Sequence, residues 1–215
     1  ANHERQLSAD LEVVELEGWR RDMEWRDTGL VWIPTSPHMP RAELCNYLTV
    51  TGILGELHAV NEGVGTPAPF EILGAPWIDS ERLANALNGK KVPGFFFRAA
   101  AFVPRYHVYA GETCHGVQIH ILDPTRIDTF FAGLVIMTTL QELYPEKKIF
   151  EGAFAPGRLG MFHTVCGTDQ MRLDILAGRS AQQIDAEYAR QRQAWVRQAA
   201  PHILYREGNK TFFSK

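Results

Sequence analysis

The stretch ELHAVNEGVGTPAPFEILGAPWID, residues 56–79, packs carboxylates, glycines and prolines into a segment too irregular for ordinary core. Gly63 and Gly65 permit positive φ or a close backbone approach, whereas Pro67, Pro69 and Pro76 fix φ and remove donors. The chain is thereby held in one shape without a ladder, and it reads as a loop that carries a site. Glu62 lies inside this stiffened turn and Glu71 follows it, with Phe70 and Trp77 as apolar neighbours. Glycoside chemistry uses such carboxyl pairs, one poised as acid and the other as base or nucleophile, beside apolar walls that raise a pKa. Glu62 and Glu71 are therefore the candidate catalytic acids, and Asn61, Thr66 and Trp77 are candidate substrate contacts. The same pattern is also compatible with a compact surface loop whose glutamates are solvated.

Outward from this loop, strand and helix signals are mixed. Residues 11–16 and 30–33 read as short strands, the second stopped by Pro34. Residues 41–48 have a helical pattern, and Asp79-Ser80 caps a helix over 81–87 that ends at Asn88-Gly89. Three strand candidates follow at 94–98, 100–103 and 117–122. Asp128 caps a helix over 129–143, which Tyr144-Pro145 closes because the residue before proline leaves the helical region. Its apolar residues surround it, as befits a buried central helix. Residues 151–167 read as a glycine-rich loop, and capped helices are expected over 169–176 and 181–199. The fold class expected is α+β: a mixed sheet, a buried central helix, and C-terminal helices packed around it.

Composition bounds the function. A chain of 215 residues, 45% hydrophobic with 12 Phe and 5 Trp, can bury a full core, and one domain over 1–215 is the expectation. A formal charge of -3 and a pI near 6.3 leave no electrostatic footprint for nucleic acid. No apolar run reaches the ~18 residues of a membrane span, and the opening ANHERQ has no signal-peptide apolar region. The 3 cysteines, Cys45, Cys114 and Cys166, are odd in number and widely spaced, which leaves at least one thiol free.

Cys114-His115-Gly116-Val117-Gln118-Ile119-His120 forms a second constellation, with Asp123 beyond it. A structural zinc site needs a second ligand pair at defined spacing and the sequence offers none, so no metal or other cofactor is assigned. On a strand, alternation puts Gln118 and His120 on one face and Val117, Ile119 and Ile121 on the other. Such a polar face suits sugar hydroxyls and amides, and it equally suits a satisfied, half-buried histidine. Trp19, Arg20 and Arg21 offer an aromatic face and two guanidiniums; they fit a bound carboxylate, or a surface pair bridged to Asp22 or Glu24. Arg98, after three phenylalanines, can reach a substrate or hold a buried carboxylate. A serine or cysteine nucleophile is disfavoured, because Ser36 lacks the glycines of a nucleophile elbow and Cys114 has no triad pattern.

Much of the chain resembles the peptidoglycan exo-β-N-acetylmuramidases of the NamZ family. Their run EGT-x-x-S-E-G-R-G-T-x-x-P-F-E, followed by GAPW, is matched at Glu56, Glu62, Gly63, Gly65, Thr66, Pro69, Phe70, Glu71, Gly74, Ala75, Pro76 and Trp77. Their EGWRRDM and WIPPSPNMP are similar to residues 17–23 and 32–40; their LPG-x-x-FRP, CGGVQ-x-H-x-x-D and YLLY are similar to 92–98, 114–123 and 202–205. Leu57, His58 and Val64 replace the family's Gly, Thr and Arg, and His38 replaces an Asn. Family members resemble two-domain enzymes whose Rossmann-like N-terminal half carries PEHG with a proposed catalytic glutamate. This chain has no PEHG, and it looks like the C-terminal domain, opening within the helix that ends the first half. The resemblance implies removal of terminal N-acetylmuramic acid from peptidoglycan saccharides, with the N-terminal domain as partner and a periplasmic or extracellular setting. With that substrate, the carboxylate-bearing loop makes Glu62 the expected contribution of this domain, and a guanidinium fork of Arg20 or Arg21 suits the lactyl carboxylate of muramic acid. A muropeptide-binding module without chemistry is the alternative.

Overall fold

The computed structural model describes residues 9–205. Their backbone divides into two compact units, one holding the described residues through Val31 and from Gln191 onward, the other spanning Trp32–Arg190. The second unit contains helices α1 (Leu44–Gly55), α2 (Ser80–Gly89), α3 (Thr129–Leu143), α4 (Leu159–Cys166) and α5 (Gln170–Leu176), strands β1 (Ile72–Ala75), β2 (Phe95–Phe102) and β3 (Cys114–Ile121), and the start of α6 (Ala181–Ala199). The α+β expectation holds, with one correction: the sheet is antiparallel throughout, in the order β1-β3-β2, rather than mixed. β2 and β3 are joined by a loop and no helix intervenes, so they return on each other as a hairpin and not as a parallel crossover.

Register follows the alternation of side chains. Arg98 faces Gln118 and Phe96 faces His120 across β2 and β3, while Ile72 faces Gln118 from β1. Phe95, Phe97, Val117 and Ile119 are buried on the opposite face, where they join one core with Leu73, Leu83 and Leu87. α3 runs through that core: Ala132 to Leu140 are all buried, and the Asp128 carboxylate accepts from the Phe131 amide at 2.9 Å. α1 and α5 pack against α3, which is the buried central helix expected. Ala181 and Ile184 of α6 are buried, and Phe130 meets Tyr188 edge-on.

Boundaries agree where caps and periodicity agree. α2 starts at its Asp79 cap, which accepts from Arg82 N at 3.0 Å, and α3 and α6 occupy the expected spans. The candidates at 94–98 and 100–103 are one continuous strand, β2. α1 runs on to Gly55, well past residue 48, because nothing in TVTGILG breaks it. The loop expected over 151–167 contains α4, whose glycines at 160 and 167 are tolerated inside and just after the helix. Asp169 makes no side-chain cap on α5. Residues 11–16 and 30–33 form no ladder, and Leu11, Val14, Leu30 and Val31 are exposed. A strand needs a neighbour, and the described residues supply none there. The expectation that the chain opens within a helix concerns residues 1–8, outside the described range.

Candidate functional site

The loop after α1 is built around Asn61, which is fully buried. Its Nδ2 donates to Val64 O at 3.1 Å and Val108 O at 2.8 Å, and its Oδ1 accepts from Gly63 N at 2.8 Å. Its backbone pairs with Gly74 at the edge of β1. Gly63 and Gly65 have φ of 84° and 89°, and a Cβ on either would strike backbone oxygen, Ala68 O at 2.4 Å and Tyr106 O at 2.5 Å. Glycine is required at both positions. Thr66 Oγ1 donates to Gly63 O at 2.7 Å and accepts from Ala68 N, which closes the turn. Asn61 and Thr66, two of the expected substrate contacts, spend these hydrogen bonds on the protein's own backbone.

Glu62 is presented by this frame and is 7% exposed. Its Oε1 lies 3.5 Å from His107 Nε2, and its Oε2 is buried with no hydrogen-bond partner among the described residues. Burial raises its pKa above the ordinary carboxylate value, the backbone and His107 oppose this, and Glu56 adds to it. Glu56 is ion-paired with Arg158, whose Nε also donates to Glu56 O at 3.1 Å. His58 stacks edge-on to His107, with centroids 5.1 Å apart, and burial, Arg158 and His107 lower its pKa. Glu71 has a different environment, ion-paired with Arg41 while its carbonyl accepts from Ile119 N at 2.7 Å. The two candidate acids thus sit in contrasting surroundings, a buried carboxyl biased to the neutral form and one paired with a guanidinium.

Trp77 closes the far end of the loop, donating to Tyr109 Oη at 3.2 Å and packing edge-on to Tyr144, with Lys147 over its ring at 5.7 Å. Arg98 donates to Gln118 Oε1 at 2.5 Å on the outer face of the sheet, and His120 lies beside Phe96. Gln118 is continuous with the loop through its β1 neighbour Ile72, whose Cγ1 would lie 3.0 Å from a Cβ on Gly63. Trp19, Arg20 and Arg21 belong to the other unit. There Trp19 packs edge-on to Tyr205, Arg20 pairs with Asp22 at 3.3 Å, and Arg21 Nε donates to Tyr205 O. His38 meets Tyr106 at 3.0 Å.

Two residues at the centre of this arrangement, His107 and Arg158, carry no signal in the sequence. His107 lies in the loop between β2 and β3 and Arg158 in the 3-10 turn that leads into α4, and only the fold brings them to the Glu62 turn. Cys114 is buried and its thiol is pushed up to about 11, which keeps it protonated and un-nucleophilic. No group of three or more His, Cys, Asp or Glu among the described residues is placed to hold a metal ion.

Comparison with known proteins agrees with this geometry. Residues 47–205 match the family profile described as exo-beta-N-acetylmuramidase NamZ, C-terminal, and residues 1–43 match its N-terminal counterpart. The chain is 34% identical over 204 residues to the peptidoglycan beta-N-acetylmuramidase NamZ of Bacillus subtilis. That match covers 95% of this chain and 48% of the relative, so the chain spans about half the length of the curated protein it resembles. A crystal structure of a DUF1343 family protein from Bacteroides fragilis superposes with a TM-score of 0.88 at 33% identity, covering 95% of this chain and 54% of that one. A second protein of that description from the same organism shares the fold alone, with a TM-score of 0.60 at 23% identity over 82% of this chain and 44% of its own. With its glycine-framed Glu62 turn and these matches together, the chain belongs to the NamZ exo-β-N-acetylmuramidase family of glycoside hydrolases.

Proposed function

We propose that this chain forms part of an exo-acting glycosidase that releases terminal N-acetylmuramic acid from peptidoglycan fragments, and that Glu62 is its general acid. The observation that carries the reading is the Glu62 carboxyl: buried, biased to the protonated form, and with Oε2 unpartnered. A carboxylic acid in that state donates its proton to a departing glycosidic oxygen. Glu71 is ion-paired with Arg41, so the group that assists at the anomeric carbon is assigned to the N-terminal half or to the substrate's own N-acetyl group. Arg98, Gln118 and His120, on the outer sheet face, are the candidate sugar contacts of this unit. Arg20 and Arg21 remain candidates for the lactyl carboxylate.

The test is Glu62→Gln in the protein carrying both family halves. Loss of an acid-base group lowers kcat by about 10²–10⁴-fold. The same variant has a stability signature. Glu62 holds its proton more tightly folded than unfolded, so the cost of its ionisation is absent below the ordinary value of 4.5 and grows as pH rises through the native value. Gln never ionises, and the variant is expected to melt at least as high as wild type at mildly alkaline pH, the gap closing in acid. Near wild-type turnover would instead favour the reading in which this unit binds muropeptides and performs no chemistry.

A further inference from the structure

The loop joining β2 and β3 is fastened to the Glu62 loop on both sides of His107. Arg105 N donates to Gly65 O at 2.9 Å, Val108 O accepts from Asn61 Nδ2 at 2.8 Å, and Tyr109 Oη donates to Ala59 O at 3.0 Å. His107 and Tyr109 are held at φ of 76° and 60°, and His58 on the facing loop at 53°. Positive φ at non-glycine residues is costly, about 1–3 kcal/mol each, and persists where surrounding contacts over-determine it. Here the outcome is that an imidazole nitrogen is held 3.5 Å from a buried carboxyl.

The charges around that contact can be followed group by group. Glu56, at the end of α1, and Arg158 neutralise each other. Burial and the Arg158 guanidinium bias His58 toward its neutral form. What remains is Glu62 and His107, 3.5 Å apart. Resting on the reading of Glu62 as general acid, we propose that His107 is its positioning residue and proton partner: the two side chains hold one exchangeable proton between them, and His107 restores the proton that Glu62 gives away. In that step the Glu62 proton passes to the leaving oxygen, the neutral imidazole, 30% exposed along its side chain, takes a replacement proton from solvent, to which the attacking water releases its own, and passes it to the carboxylate left behind. His58, which stands where the family has Thr, packs edge-on to His107.

The proposal is tested by histidine C2 hydrogen–deuterium exchange, read by mass spectrometry across a pH series, on the full-length protein and its Glu62→Gln variant. Removing the carboxylate partner is expected to change the pH dependence of exchange at His107. His163, whose Nε2 accepts from Arg172, should not move. An unmoved His107 overturns the proposal. In His107→Gln the group that returns the proton to Glu62 is gone, so kcat is expected to fall by about 10²-fold while KM stays near its wild-type value. A kcat left at its wild-type value also overturns it. If His107 moves while Glu62→Gln keeps wild-type turnover, the pair stands and the acid reading falls. If Glu62→Gln abolishes turnover while His107 stays put, the acid reading stands and this proposal falls.

Discussion

Glu62 depends on a residue that has no side chain. Gly55, the last residue of α1, lies so close that a Cβ there would sit 2.7 Å from Glu62 Cδ and 2.9 Å from its Oε2. Gly55→Ala is therefore expected to displace the carboxyl without touching substrate. A shift of that kind lowers kcat by about 10²-fold. Stability should change by less than about 1 kcal/mol, because Ala is the better helix former by a similar amount. Kinetics and a melting curve on one preparation check both halves of the expectation, and a wild-type kcat would show that the carboxyl position is not critical. At this scale the sequence was only partly legible. The Gly-Pro frame around Glu62 announces itself because φ constraints are local, and Asp79 and Asp128 announce helix starts for the same reason. His107 cannot be found that way, since its meeting with Glu62 is made by tertiary hydrogen bonds from Asn61 and Tyr109.

At the scale of elements, the sheet is thinnest where it meets the site loop. Gly74 and Gly116 face each other across β1 and β3, and a Cβ on Gly116 would lie 1.9 Å from Leu73 O. Gly116→Ala must push β1 off β3, and overpacking of this kind costs about 1–3 kcal/mol. A lower urea midpoint with an unchanged slope is the expected result. A wild-type midpoint would mean that the strands part at no cost. β1 itself was not foreseen, because ILGA sits between a proline-rich turn and Pro76 and is too short to show alternation. The outer face of β3 was foreseen, since period-2 alternation of Gln118 and His120 against Val117 and Ile119 needs no tertiary information.

For the whole molecule, two divisions of the chain differ. The N-terminal family profile ends at residue 43, yet Trp32 and Met39 pack with Leu44, Val64 and Phe70 in the unit that holds the site. Residues 11–16 and 30–33 have strand composition and exposed apolar side chains, with no ladder partner among the described residues. Their composition was read correctly and their structure was not, because a strand is a property of a pair. The chain spans about half of its curated relative, which leads to a whole-molecule prediction from the proposed function. This chain alone should fold around its α3 core and show no release of N-acetylmuramic acid from a chromogenic substrate, whereas the two halves together should. Full turnover by the chain alone would refute the division of labour.

Asn61 fastens the two loops with amide and carbonyl groups only. None of these groups gains or loses a proton across the range in which an enzyme is assayed, so the mount stays constant while the acid it carries changes state. On the proposed function, a pH–rate curve of the protein carrying both halves is therefore expected to record chemistry at Glu62 and its neighbours apart from loop opening, and a single substitution at position 58 or 107 to retune that curve without rebuilding the scaffold.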